Sequence, residues 1–402
     1  MKQYVLVGTG NRGYQMYATA LTGPFAHAGQ LVGVYDTNAG RAQLVAAKCN
    51  CPSVESFDAL LALRPDCVIV TSVDATHHIY ILQALRAGCD VISEKPMTTT
   101  AEACREILAA ERATGHRVRV GFNLRYAPFA LAVKQALQQG VVGEIYSIHF
   151  EWLLDTSHGA DYFRRWHRYM CNSAGLLIHK ASHHFDLANW YMDSAPARVY
   201  ASGKLRFYGN QQQAQERCLT CPPERRCPYY WDITSDAFCK EFYLEQEQWD
   251  GYYRDRCVFA PDIDIYDTVS ATVTYANGSS LAYSLTAHSP YEGWRMQING
   301  ALGRLEAQEI SSGPEAGTPF YTLFDRKGQA TRVEVPHGTG GHGGADDQIR
   351  QDLFVGGGDD PWHQRADSLA GAYALLIGVA ANQSIATGQP QDIQKLAQMN
   401  SK

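Results

Sequence analysis

The chain has 402 residues, 45% of them hydrophobic and 19% charged, an ordinary globular composition with length for two or three domains at about 150 residues each. Thirty-five Lys and Arg against 41 Asp and Glu give a formal net charge of −6, which argues against nucleic acid or an anionic membrane as partner. No run of about 18 apolar residues is seen, so no membrane span is expected. Met1–Val7 lacks the charged start, long apolar core and cleavage site of a secretory signal, so a cytoplasmic protein is expected.

Along the first 120 residues, Tyr4–Val7, Leu31–Tyr35, Cys67–Thr71 and Asp90–Ser93 are short runs of continuous rather than alternating polarity. Strands buried on both faces of a parallel sheet have this pattern. Between them, Tyr14–Leu21, Arg41–Ala47, Phe57–Leu63, His78–Ala87 and Ala101–Thr114 have helical spacing. The alternation predicts an open, doubly wound parallel α/β sheet over residues 1–122, with Val118–Phe122 as its sixth and last strand.

Beyond Asn123 the rhythm changes. A helix over Ala127–Gly140 leads to a half-exposed strand at Tyr146–Trp152. Then come strands at Val199–Leu205, Thr268–Tyr275, Ser279–Thr286, Arg295–Asn299 and Gly303–Gln308, with the Asn277-Gly278 hairpin turn among them. Residues 365–388 return to helix. The reading is a second α/β domain over 123–402, built on a large open, mainly antiparallel sheet. A polar, Cys-rich insertion occupies about 208–262. No internal repeat or low-complexity tract is present.

Gly8-Thr9-Gly10-Asn11-Arg12-Gly13 follows the first strand and opens a helix. The first Gly permits the tight turn, the second lets backbone approach a pyrophosphate, and the third allows close helix–strand packing; the helix N-terminus, with Asn11 and Arg12, supplies oriented donors. Asp36 ends the second strand, 23 residues past Gly13. An acid there accepts the adenosine ribose hydroxyls and repels a 2′-phosphate. This points to NAD, with NADP as the less favoured alternative because Arg41 is near.

Glu94-Lys95-Pro96 closes the fourth strand at the carboxyl edge, where ligands of such sheets bind. Thr71-Ser72-Val73-Asp74-Ala75-Thr76-His77-His78, Ala84-Leu85-Arg86-Ala87-Gly88, the Glu94-Lys95-Pro96 triplet and Gly121-Phe122-Asn123-Leu124-Arg125-Tyr126 follow in order. Together they resemble the Gfo/Idh/MocA family of NAD(P)-dependent oxidoreductases. The resemblance implies a Rossmann domain, an α/β domain whose open sheet forms a homo-oligomer interface (dimer or tetramer), a tightly held nicotinamide cofactor and a sugar or cyclitol substrate. It implies that Lys95 hydrogen-bonds the reacting hydroxyl, that Thr71, His77 and Glu94 line the cofactor, and that Asn123, Arg125 and Tyr126 border the substrate.

Members of that family carry a segment roughly Gly-Gly-x-x-x-Asp-x-x-x-His-x-x-Asp. The match here is Ala174-Gly175-Leu176-Leu177-Ile178-His179-Lys180-Ala181-Ser182-His183-His184-Phe185-Asp186. His183 falls on the family's catalytic His and Asp186 on its acid, while His179 replaces the family's Asp. On one helix His179 and His183 would share a face, so both are candidates to carry a proton from a sugar hydroxyl. Without an HExxH glutamate or a third ligand, the pair is not read as a catalytic metal site.

Cys218, Cys221, Cys227 and Cys239, with Cys257 nearby, are a candidate structural zinc set of irregular spacing, against free thiols as the simpler reading. Phe163-Arg164-Arg165-Trp166-His167-Arg168 is a candidate substrate wall, with Arg165 and Trp166 its contacts. Gly338–Gly344, with His342, is a candidate lid opening a helix at Asp346.

The expected activity is NAD-dependent oxidation of a carbohydrate or polyol hydroxyl, with Lys95, His183 and His179 handling the proton. One alternative is an NAD-dependent glycosidase working by transient oxidation, elimination, water addition and re-reduction. Another is a non-catalytic NAD-binding sensor.

Overall fold

A computed structural model describes residues 1–209, 214–222 and 226–398. The first unit is a five-stranded parallel sheet in the order β2-β1-β3-β4-β5. Its strands are β1 (Lys2–Val7), β2 (Gly29–Tyr35), β3 (Cys67–Val70), β4 (Asp90–Ser93) and β5 (Val118–Val120). Val118–Val120 is therefore the fifth strand of this sheet, not a sixth. The side chains of Val5, Leu6, Val68, Ile69 and Val70 are fully buried, as continuous apolar strands between two helical layers require.

Side chains that accept backbone N–H groups start the helices. Asn38 caps Ala39–Cys49, Ser56 caps Phe57–Leu61 and Thr100 caps Ala101–Thr114. Gly115, in the left-handed region, ends the last of these.

The second unit is a nine-stranded sheet in the order β13-β12-β11-β10-β6-β9-β8-β7-β14. Its strands are β6 (Ile145–Asp155), β7 (Pro196–Lys204), β8 (Thr268–Tyr275), β9 (Ser280–Ser289), β10 (Gly293–Gly300), β11 (Gly303–Ile310), β12 (Phe320–Asp325), β13 (Ala330–Glu334) and β14 (Gln391–Asp392). Only the central β6–β9 pair is parallel; the others are antiparallel. β8 alternates exposed and buried residues along its whole length, so one face packs and the other meets solvent. The short strands β12, β13 and β14 escape pattern reading; β13 and β14 are the sheet's edges and β12 lies next to one of them.

The helix Ser368–Thr387 runs along β7 and packs on the helix Ala181–Met192. It corrects the expectation that no segment is apolar enough to span: with a mean hydropathy of 1.4 over its window it is long and apolar enough to cross a membrane. Leu375, Leu376, Ile377, Ala380 and Ala381 are all buried against the fold, which is how a core helix earns the same composition. Just before it, the chain returns to the first sheet: the Val120 N–H donates to the Ala366 carbonyl at 3.0 Å, and Asp367 bridges Arg119.

The insertion between β7 and β8 does not stand away from the body. Its Ile233, Cys239, Phe242 and Tyr243 are buried in one apolar cluster with Tyr4, Leu6, Met16 and Leu31 of the first unit. Arg254 of the insertion pairs with Asp161 of the second unit at 2.7 Å.

Candidate active site

One cavity of about 870 Å³ runs from the end of β2, over the glycine turn, to Lys95, His179 and His183, and on to Trp152, Glu292 and His337. Its first part is shaped by the turn itself. A Cβ at Gly13 would overlap the Gly8 carbonyl, and one at Gly8 (φ +89°) would press on Ser72 and Thr71 backbone at 2.6 Å. Thr71 Oγ donates to the Gly8 carbonyl at 2.5 Å and locks the turn onto β3. Gly10 and Asn11 line the cavity beside it. This backbone cradle at a helix N-terminus, leading to an acid at the end of the next strand, fits a dinucleotide.

At the far end of that cradle Asp36 accepts from the Thr9 N–H at 2.7 Å, from Thr9 Oγ at 3.0 Å and from the Asn38 N–H at 2.8 Å. Arg41 Nη2 lies 3.2 Å from Asp36. Arg12 does not reach into open space: its Nε donates to Glu94 at 2.6 Å and its Nη1 faces Asp346 at 3.3 Å. Glu94 also accepts from the Tyr17 hydroxyl at 2.8 Å. His77 sits between two backbone carbonyls, 2.8 Å from Pro96 and 3.0 Å from Ser72, so it pins the turn carrying Lys95.

At the centre, Lys95 Nζ donates to the His179 carbonyl at 3.0 Å, and His179 Nδ1 is 2.6 Å from Asp74 Oδ2. Burial pulls the Lys95 ammonium below its usual range, while Asp74 and Glu94 hold it back up. Burial also pushes His179 and His183 well below the ordinary imidazole value, with the Lys95 charge adding to it. Both imidazoles are therefore neutral near pH 7. Burial raises the Asp74 carboxyl, and Lys95 and Arg165 oppose the rise. His183 Nδ1 is buried with no hydrogen-bond partner, its ring edge-on to Phe122.

The two histidines lie on different helices rather than one: Leu176–His179 ends, the chain kinks at Lys180, and Ala181–Met192 begins. Both nevertheless line the cavity. Asp74 was not singled out from the sequence as a site residue; its only signal there is a charged residue in a loop at a strand's carboxyl edge. Lys180, His158, Asp161, Tyr162, Arg254, Glu292 and Glu309 also line the cavity and were not anticipated. Several of them come from separate elements that only folding brings together.

Asn123, Arg165 and Trp166 line the cavity as well; Arg125 and Tyr126 do not. Arg125 makes a two-pronged ion pair with Asp186 at 2.6 and 2.8 Å, and Tyr126 donates to Asp352 at 2.8 Å. Both, like Asp186, tie elements together beneath the site instead of facing a substrate. His342 lines the cavity and holds Asp346 at 2.8 Å, which also accepts from Asn123 Nδ2 at 2.8 Å.

Among the described residues no three His, Cys, Asp or Glu side chains are grouped to hold a metal. The zinc expectation for Cys218, Cys221, Cys227 and Cys239 thus finds no site there, and residues 223–225 within that stretch lie outside the described set. Cys218 instead accepts from Arg164 Nη1 at 3.2 Å, and Cys239 is buried in the cluster with Phe242.

Residues 2–122 match the family model described as an oxidoreductase family, NAD-binding Rossmann fold, and residues 134–393 match that family's C-terminal alpha/beta domain. The chain belongs to the Gfo/Idh/MocA family of oxidoreductases. Among Gfo/Idh/MocA relatives, the Bacillus subtilis (strain 168) protein YteT is 35% identical over 430 residues, covering 99% of each chain. An inositol 2-dehydrogenase of Rubrobacter xylanophilus is 32% identical over 205 residues, 49% of this chain and 54% of that one. In fold, the chain is similar to the WlbA dehydrogenase of Bordetella pertussis, solved with NADH and UDP-GlcNAcA. Its TM-score is 0.67 at 19% identity, over 97% of this chain and 98% of that one. An Agrobacterium radiobacter oxidoreductase solved with NAD+, L-tartaric acid and magnesium gives a TM-score of 0.67 at 15% identity, covering 98% and 99%.

Proposed function

We propose that this Gfo/Idh/MocA oxidoreductase uses NAD to oxidise a hydroxyl of a sugar, sugar derivative or polyol. The observation that carries the reading is the cluster at the cavity's centre: Lys95 Nζ 3.0 Å from the His179 carbonyl and His179 2.6 Å from Asp74, opening on the space the glycine turn lines. A nicotinamide dinucleotide, when bound, supplies the hydride acceptor. Lys95 donates to the reacting hydroxyl oxygen and stabilises negative charge as the proton leaves. His183, which lines the cavity and is kept neutral by burial, takes that proton. His179, oriented by Asp74 through Nδ1, lines the same space and assists or positions the substrate. Asn123, Arg165 and Trp166 border the ring, and the indole suits a sugar's apolar face.

Lys95→Ala tests this. Turnover with NAD and a polyol panel should fall about 10²- to 10⁴-fold while NADH still binds, and retained turnover would sink the assignment.

A second reading, net glycoside hydrolysis through transient oxidation, draws support from the cavity's continuation. Past the redox residues it holds Lys180, brought down to about 8 chiefly by burial, and Glu292, 2.8 Å from His158. A proton donor and acceptor beyond the oxidised carbon are what elimination and water addition require. Sugar release from glycosides without net NADH would favour this reading; stoichiometric NADH would favour the first.

We further propose a homo-oligomer joined through the outer face of the nine-stranded sheet, where Tyr200, Thr272 and His149 stand exposed. A monomer mass by light scattering would oppose it.

A further inference from the structure

We infer that the insertion between β7 and β8 forms the second wall of the nucleotide site, and that its Asp250 makes that site select the dinucleotide without a 2′-phosphate. The inference rests on the nucleotide reading proposed above and goes beyond it to a residue outside the Rossmann unit. Arg41 is the cation at the Asp36 end of the cavity, where a 2′-phosphate would need to be met. Its Nη2 already faces two carboxylates, Asp36 at 3.2 Å and Asp250 at 3.4 Å, and its Nε lies 3.4 Å from Asp36. One guanidinium between two carboxylates leaves a local charge of −1, which a phosphate dianion would meet as repulsion. Asp36 alone would only cancel Arg41, so Asp250 sets the sign.

Asp250 is held there by several contacts. Trp249 fills the space beside Gly40, where a Cβ would overlap the indole. Asn38 Nδ2 donates to the Gln246 carbonyl at 3.0 Å, and Lys48 pairs with Glu241 at 2.8 Å. The Tyr252 N–H donates to Asp250 Oδ1 at 3.0 Å and orients the carboxylate. Nearby, the Tyr243 hydroxyl accepts the Asn11 N–H of the glycine turn at 2.9 Å, with the Arg41 guanidinium 5.5 Å from its ring. The same insertion thus meets the turn and the ribose end at once.

The test is a fluorescence titration of the full-length protein with NADH and NADPH. Wild type should bind NADH more tightly. Asp250→Asn, which keeps shape and removes charge, should move the affinity ratio toward NADPH by about tenfold, and Asp250→Asn/Arg41→Ala should abolish that gain. An unchanged ratio in Asp250→Asn with NADH still bound, or equal affinities in wild type, overturns the inference. Wild type that binds neither nucleotide overturns the underlying site reading as well. Should the substitution unfold the insertion, salt dependence of wild type carries the test. Screening weakens repulsion, so the NADH preference should narrow from low to high salt, and a preference that widens counts against Asp250.

Discussion

Burial lowers both Lys95 and the histidines around it, but Asp74 and Glu94 support the lysine's charge while that charge lowers the imidazoles further. The sign of the pH dependence follows. A base must be neutral to accept a proton, so the acid limb of kcat/KM should lie below the ordinary imidazole value of 6.5. A donor must be charged, so the alkaline limb should lie below the ordinary lysine value of 10.5. A rate profile with an acid limb above 6.5 would contradict the first half. Asp74→Asn removes a carboxylate that holds up the charge on Lys95. It should lower kcat about tenfold or more and move the alkaline limb lower still, a shift that simple loss of packing would not produce. At this scale the sequence was partly legible. Lys95, His179 and His183 stand in recognisable motifs and do line one cavity. Asp74 was hidden because its partner lies 105 residues away, and no local spacing encodes such a contact. Arg125 also stands in a recognisable motif, but its guanidinium is taken up by Asp186, a pairing no local spacing encodes.

Helix and strand boundaries in the first unit were legible because burial there is two-sided and the caps are local. Asn38, Ser56 and Thr100 each precede the helix whose N–H they accept. The break at Lys180 was not, since the four-residue spacing of His179 and His183 reads as one helical face. Two element-scale tests follow. Arg125 joins the segment after β5 to the helix Ala181–Met192 through Asp186, and both side chains are buried. Arg125→Ala leaves that carboxylate unpaired and should cost about 3–5 kcal/mol in denaturant unfolding; a loss under 1 kcal/mol would show that the pair is dispensable. Gly378 faces the Leu177 carbonyl and Ile178, and a Cβ there would sit 2.6 Å from Ile178 Cγ1. Gly378→Ala should therefore destabilise by about 1–3 kcal/mol through overpacking, even though Ala is the better helix former.

For the molecule as a whole, the insertion touches both units and one apolar cluster runs from Val5 and Val70 through Phe122 to Leu285 and Ile377. Calorimetry should accordingly show a single unfolding transition with matching calorimetric and van't Hoff enthalpies; two resolved transitions would mean that the units melt separately. Neither this sharing nor the path of the insertion was legible in the sequence, where the Cys-rich tract reads only as an insertion in the second domain. The return of Ala366 and Asp367 to β5 has a consequence for biosynthesis. The residues that cover the first sheet's last strand are translated well after it, Ala366 lying 246 residues beyond its partner Val120 (366 − 120). Throughout that interval β5 presents bare N–H and C=O groups, a template for pairing with another nascent chain. Chaperone demand during synthesis should therefore peak before the helix Ser368–Thr387 is released and drop once it docks.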